Sequence, residues 1–325
     1  MSPILLTRSQ IDDAAWNALV QDSPQCVIYA FTYYLDIVCV DWKALVYSAG
    51  AGYQVVMPLP VRKSFGFELV YQPLFCQYLG LFSRGQITGE QAALFLKALS
   101  RHYSYISAYH FNPDNDRLLD GLNKSFPEFQ TNTYVTHWLD LTQTYCELSA
   151  GFNKDRRKNL RKAEAARWEL VASTNIHPLI YLFVSNHSRK IPGGVNPNAF
   201  NVLEALHYTF NTRAQAEVWY AAKSGRIHAG ILLIRSGGKV IYLFNAADDT
   251  GRRENARTFL LDQYFREFCT NAQIFDFESP RVKSISDFYK SLGGEAVPFP
   301  GIRKNRLPFP LRQIQEWRIN GLKTS

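Results

Sequence analysis

No apolar run in this sequence approaches the ~18–20 residues that a membrane-spanning helix needs. The longest candidates, such as Ile227–Ile234, have strand length. Residues 1–16 hold Arg8, Asp12 and Asp13 and lack the apolar stretch of a secretory signal. The five cysteines (Cys26, Cys39, Cys76, Cys146, Cys269) include no Cys-x-x-Cys pair, and the seven histidines include no His-x-x-x-His pair. A structural zinc site is thereby excluded, and no metal is expected. Each cysteine has apolar or aromatic neighbours, so all five are expected as buried, reduced thiols of a cytoplasmic protein. The chain has neither a Gly-x-Ser-x-Gly elbow nor a Cys-His neighbourhood, which argues against a covalent acyl-enzyme.

The 325 residues have the length of two domains. With 46% hydrophobic, 14% aromatic and 20% charged residues, the chain can fill two sizeable cores and is neither fibrous nor disordered. Its net charge of +8 is concentrated. Residues 153–167 carry Lys154, Arg156, Arg157, Lys158, Arg161, Lys162 and Arg167 against Asp155 and Glu164, a net +5. Residues 301–325 carry Arg303, Lys304, Arg306, Arg312, Arg318 and Lys323 against Glu316, again +5, which leaves the remainder at −2. Two local basic patches point to an anionic partner.

The pattern of elements occurs twice. Strands are predicted at Trp42–Tyr47, Tyr53–Arg62 and Phe67–Tyr71, then a helix at Gly89–Tyr103, a strand at Tyr105–Phe111, a polar helix at Asp114–Lys124 and a strand at Thr131–Leu141. In the second half strands are predicted at Glu217–Ala222, Arg226–Ile234 and Lys239–Ala246, joined by the glycine-bearing turns Lys223-Ser224-Gly225 and Ser236-Gly237-Gly238. A helix at Asn255–Cys269, a strand at Gln273–Glu278 and a helix at Ser284–Leu292 follow. Helices lead into each half, at Ser9–Gln21 and Phe31–Val38, then at Asn153–Arg167 and Asn198–Thr212. Hairpins followed by helix, strand and helix define an α+β fold, each copy a mostly antiparallel sheet flanked by helices. The boundary is expected within Thr142–Ser149, giving domains 1–145 and 146–300. Ser188–Asn198 is expected as a loop, either an active-site lid or a plain connection.

Two segments of the second half carry chemistry. The first is Thr250-Gly251-Arg252-Arg253-Glu254-Asn255-Ala256-Arg257-Thr258-Phe259-Leu260-Leu261, between a strand and a helix. The second is Phe275-Asp276-Phe277-Glu278 leading to Asp287-Phe288-Tyr289-Lys290-Ser291-Leu292-Gly293-Gly294-Glu295. With the repeated layout, they resemble the GNAT acyltransferases, and specifically the FemABX-type branch, in which two GNAT-like domains share one chain. The second segment is similar to the GNAT pattern Leu-Tyr-x-x-x-Gly-Phe and to the FemABX stretch Phe-Lys-x-x-Phe-Gly-Gly. Asn153–Ala163 is similar to the Lys/Arg-rich helix that opens the second domain of that branch, and the resemblance implies that 301–325 returns to complete the first domain.

The resemblance implies an N-acyltransferase without a resident cofactor, using acyl-CoA or aminoacyl-tRNA as donor. The acceptor it implies is the primary amine of a small molecule or a peptidoglycan precursor. GNAT enzymes hold the donor pyrophosphate with Arg/Gln-x-x-Gly-x-Gly/Ala; this chain has Arg252-x-x-Asn255-x-Arg257, with both glycines replaced. Arg252, Arg253, Asn255, Ala256 and Arg257 are therefore the expected donor-phosphate residues, acting by charge and through the helix N-terminus rather than by close backbone approach. Tyr289 would protonate the leaving group and Lys290 would steady developing charge. Glu278, sharing a strand face with Asp276, would deprotonate the amine. Lys154, Arg157, Lys158 and Arg161 are the candidate substrate-phosphate residues, or else a solvated helix face. Two other readings stay open: a degenerate GNAT pair kept for binding, and a basic nucleic-acid-binding module.

Overall fold

The structure, a computed structural model, describes residues 2–48, 52–64, 66–119, 122–187, 194–271, 273–278 and 282–321. The chain divides into two compact units, Met1–Tyr134 with Pro298–Ser325, and Val135–Val297. Sequence reasoning puts the boundary at 145/146, at the start of the helix that follows the strand in which the division falls.

The first unit begins with β1 (Ile4–Thr7), α1 (Asp13–Asp22), α2 (Thr32–Val38), β2 (Lys43–Ser48) and β3 (Tyr53–Leu59). Asp12 caps α1 by accepting from the Ala15 amide (3.1 Å), and the helix buries Trp16, Leu19 and Val20. The single strand expected over 53–62 breaks at Pro60, which has no N–H to donate to a ladder. The chain resumes as β4 (Val61–Ser64) and β5 (Phe67–Val70), an antiparallel hairpin. β6 (Phe82–Ser83) completes a sheet of order β1-β2-β3-β6. α3 (Gly89–His102) opens on a capping box of Thr88 and Gln91, and β7 (Tyr105–His110) follows. The helix expected over 114–124 is instead a 3₁₀ stretch, Pro113–Leu119, and one turn of α4 (Leu122–Ser125). Asn112 accepts from the Asp114 amide (3.0 Å), one of the local side-chain bonds with which Asn and Asp compete against a regular helix.

β8 (Gln130–Asp140) leads into the second unit, which continues with α5 (Tyr145–Ala150), α6 (Lys154–Ala165), β9 (Glu169–Ser173), α7 (His177–Asn186) and α8 (Asn198–Asn211). The hairpin strands β10 (Ala216–Lys223), β11 (Arg226–Ser236) and β12 (Lys239–Ala247) come next, then α9 (Asp249–Arg253), α10 (Ala256–Phe268), β13 (Ile274–Asp276) and α11 (Lys283–Ser291). Both hairpins turn on two residues at positive φ, Ser224-Gly225 (52° and 71°) and Gly237-Gly238 (57° and 73°), as the glycine positions predict. The strand order is β9-β10-β11-β12-β13-β8, antiparallel except for the β12–β13 pair. One face buries Trp219, Ile231, Leu233, Tyr242, Phe275 and Phe277 beneath Leu260, Leu261, Tyr264 and Phe265 of α10.

The chain returns to the first unit through β14 (Glu295–Asn305), which pairs antiparallel with β7 (Gly301 opposite His110, Lys304 opposite Ile106), and ends in α12 (Leu311–Gly321). The Lys304 ammonium donates to the Ser100 and Tyr103 carbonyls at 2.5 and 2.9 Å. Cys26, Cys39 and Cys76 are buried, but Cys146 is exposed and Cys269 only half-buried. Those two lie near the ends of α5 and α10, where one side of the chain faces water. The expected loop is described only from Gly194 onward; residues 188–193 lie outside the described residues.

Candidate active site

β12 and β13 run in register only where Lys239–Ile241 face Ile274–Asp276. Beyond Ile241, β12 continues toward Ala247 with no strand paired on that side among the described residues. A bulge in β12 falls where Leu232 and Leu233 of β11 pair with Phe244 and Tyr242. The extra residue, Leu243, resets the alternation, so Tyr242 and Asn245 lie on one face, the face that α10 covers.

α10 begins beside this open edge. Asn255 precedes it in the left-handed conformation (φ 59°) and its side chain does not cap the helix. Arg257, in the first turn, donates to the Asn245 side chain at 2.8 Å and lies over the Phe288 ring at 5.5 Å. The Arg156 guanidinium, from α6, lies over the same ring at 4.2 Å. Arg156 is only 7% exposed, and donates to Ser291 Oγ (2.9 Å) and Thr258 Oγ1 (2.6 Å). No carboxylate ion-pairs with Arg156 or Arg257 among the described residues. Burial, reinforced by the charge of Arg257 and only partly offset by Asp155, brings Arg156 down to about 10. It stays cationic at neutral pH. Two arginines sharing one aromatic ring, one buried and without a counter-charge, form an arrangement that an anion stabilises.

Tyr289 lies alongside. Its ring stacks on Phe277 (centroids 4.8 Å apart, 23° between planes) and meets Tyr242 edge-on at 6.2 Å. It is 7% exposed and belongs to the core cluster. Burial pushes its phenol well above the ordinary value; Tyr242, Glu278 and Asp276 add to the rise and Arg257 opposes it. Tyr242 is likewise pushed up to about 12 by burial, with Arg257 holding it down. Glu278, half-buried at the end of β13, has a left-handed backbone (φ 64°), and its amide donates to Asp276 Oδ1 at 2.8 Å. Asp276 is fully buried and also accepts from Thr136 Oγ1 (2.6 Å). His137, on β8, sits 5.8 Å from the Tyr289 ring, with Nε2 at 3.0 Å from Ser286 Oγ. Burial and Lys290 lower it, while Asp276 raises it.

The expected residues are thus sorted by the structure. Arg257, Asn255, Ala256, Tyr289 and Glu278 gather around the β12–β13 opening, with Ala256 buried beneath the helix start. Arg252 turns away: its guanidinium donates to the Ala247 carbonyl and to Asp249, and lies 3.3 Å from His187 Nε2. Arg253 points to solvent, with Glu254 at 4.0 Å. Lys290 is exposed while its neighbour Tyr289 is buried, the ~100° step of a helix separating them. Lys154, Arg157 and Arg161 line an open groove of about 580 Å³ between α5 and α6, floored by Phe152 and Leu160, and Lys158 is exposed beside it. Arg156 is counted in the basic run but is not among the expected site residues. The apolar stripe Phe152, Leu160, Ala163 of this region has a basic residue at its remaining position, and that interruption is the signal in the sequence.

Residues 151–289 match the family described as the acetyltransferase (GNAT) domain. FemX has a similar structure (TM-score 0.63, 13% identity, covering 94% of this chain and 98% of that one). So does the C-terminal domain of a putative lysylphosphatidylglycerol synthetase from Agrobacterium fabrum (TM-score 0.54, 11% identity, 92% and 93% covered). A tandem GNAT protein from the clavulanic acid biosynthesis pathway matches at TM-score 0.50 with 11% identity, over 82% and 83%. No curated protein sequence matches the chain. The fold is that of the tandem GNAT proteins, FemX among them. Among the described residues no three His, Cys, Asp or Glu side chains are grouped to hold a metal ion, and no helix is long and apolar enough to cross a membrane.

Proposed function

We propose that the second unit is an N-acyltransferase that moves an acyl or aminoacyl group from a phosphate-bearing carrier to a primary amine. The observation that carries this is the Arg156–Arg257 pair: two cations around Phe288 without a carboxylate among the described residues, next to the first-turn amides of α10. A carrier phosphate placed there would bring its acyl end to the opening between β12 and β13. Glu278 would accept the proton of the attacking amine, and Tyr289 would return one to the leaving atom, so that no acyl-enzyme is needed.

Burial keeps the Tyr289 phenol protonated, the form a proton donor needs, whether the carrier is acyl-CoA or aminoacyl-tRNA. The exposed Lys154, Arg157 and Arg161 of the α6 groove fit either carrier, since they offer charge for further phosphates. The acceptor is read as a small-molecule or peptidoglycan-precursor amine in the cytoplasm. The free cysteines support that compartment.

Thermal shift tests the site. A phosphate-bearing acyl carrier raises the melting temperature of the wild type, and Arg257→Ala, a half-buried position, removes most of the shift. Absence of a shift with both acyl-CoA and aminoacyl-tRNA would remove the donor site from this unit.

A further inference from the structure

The last helix of the first unit leaves large apolar side chains uncovered. α12 packs through Leu311 against the small cluster of Leu69, Tyr105 and Leu307, with Gln315 in the same seam. On the outward side Ile314 and Trp317, three residues apart and so on one face, are both exposed, Trp317 by 82%. Phe309, just ahead of the helix, is 80% exposed. Phe67, in the β4–β5 hairpin that borders the seam, is exposed too.

Cations surround this face. Arg306, Arg312 and Lys63 are exposed. Of the carboxylates nearby, Glu316 pairs with Arg312 (3.1 Å), Glu68 pairs with Lys43 (2.7 Å), and Glu128 accepts from Ser100 Oγ (2.5 Å) within the field of Arg306. Arg303 and Lys304 do not contribute, because they are turned into the unit and donate to the carbonyls of Ser107, Ser100 and Tyr103.

We propose that this face docks on an anionic lipid surface. α12 lies in the headgroup plane, Trp317, Ile314 and Phe309 enter the acyl boundary, and the flanking Arg and Lys side chains meet lipid phosphates. Trp317 suits that boundary, because its ring is apolar and its indole N–H can stay wet, while Ile314 and Phe309 supply apolar area. A second copy of the chain fits less well, since two such faces would oppose like charges. This inference stands apart from the acyl-transfer reading, because it concerns another unit and needs neither donor nor acceptor.

The test uses the full chain and vesicles of phosphatidylcholine with or without phosphatidylglycerol. The chain should co-sediment with the mixed vesicles only, and less so as salt rises. Trp317→Ser, and separately Arg306→Gln with Arg312→Gln, should each lower the partition coefficient by about fivefold or more without changing the melting temperature. The other five tryptophans are buried or half-buried, so lipid-brominated quenching of emission should belong to Trp317 and vanish in Trp317→Ser. Equal binding to both vesicle types, no binding to either, or quenching that survives Trp317→Ser would overturn the proposal. So would a dimer through α12 that vesicles fail to dissociate.

Discussion

At the scale of single residues, the site depends on groups whose ordinary behaviour burial has changed. Tyr289 is buried on Phe277, and the proposed acyl transfer assigns it the proton for the leaving group. Tyr289→Phe keeps the stacking and removes the hydroxyl. Turnover should fall by roughly a hundredfold or more while donor affinity stays near wild type, as separate kcat and KM measurements would show. Unchanged turnover would leave Tyr289 as core packing alone. His137 offers a second test, through stability. Burial and Lys290 lower its folded value below the ordinary 6.5, against the pull of Asp276, and Ser286 occupies its Nε2. Between the folded value and 6.5 the unfolded chain binds the extra proton, so stability rises with pH there and is lost as pH falls below about 6.5. Denaturant midpoints across that range should show the slope, and His137→Gln should flatten it in part, His207 supplying the rest by the same burial. Gly251 is a purely steric case. A Cβ there would stand 2.3 Å from the His228 carbonyl oxygen, so Gly251→Ala should cost about 1–3 kcal/mol of stability.

At the scale of elements, the sequence shows most where periodicity and turn chemistry act together. The three-strand meander β10–β12 and helix α10 are legible because Ser224-Gly225 and Gly237-Gly238 punctuate strongly patterned runs. α7 is not among the predicted elements; its Pro178 stands in the first turn, where proline suits a helix. The orientation of the arginines is less legible still. Arg252, Arg253 and Arg257 look alike in the sequence; what separates them is the extra turn α9, which folds Arg252 back onto Ala247 and Asp249, and the bulge at Leu243, which presents Asn245 to Arg257. α6 divides in the same way, with Arg156 inward and Lys154, Arg157 and Arg161 on the groove. Neutralising these three exposed residues should weaken binding of a polyanionic carrier and reduce its salt dependence by about one phosphate's worth for each charge that makes contact. An unchanged salt slope would return them to a solvated face.

At the scale of the whole molecule, the chain leaves its first unit and comes back to it. Residues 298–325 supply β14 to β7 and the ammonium of Lys304 to three acceptors on α3 and the turn after it. Burial lowers this lysine, but the bonds repay its insertion. Lys304→Ala would leave the Ser100 and Tyr103 carbonyls without that donor and should lower stability by about 1–3 kcal/mol in chemical denaturation. The two prolines show only that the C-terminal segment is extended; its return to the first unit is anticipated from the resemblance to the FemABX branch. Its anchoring cannot be anticipated, because a lysine within a basic run resembles every other surface lysine until the carbonyls it meets are known.

The account turns on where the carrier's phosphate sits. A crystal structure of the chain with a phosphate-bearing acyl carrier tests that most directly. The prediction is phosphate density between the Arg156 and Arg257 guanidinium groups, beside the first turn of α10. Density on Arg252 and Arg253 instead, or with Arg156 still bonded only to Ser291 and Thr258, would contradict it.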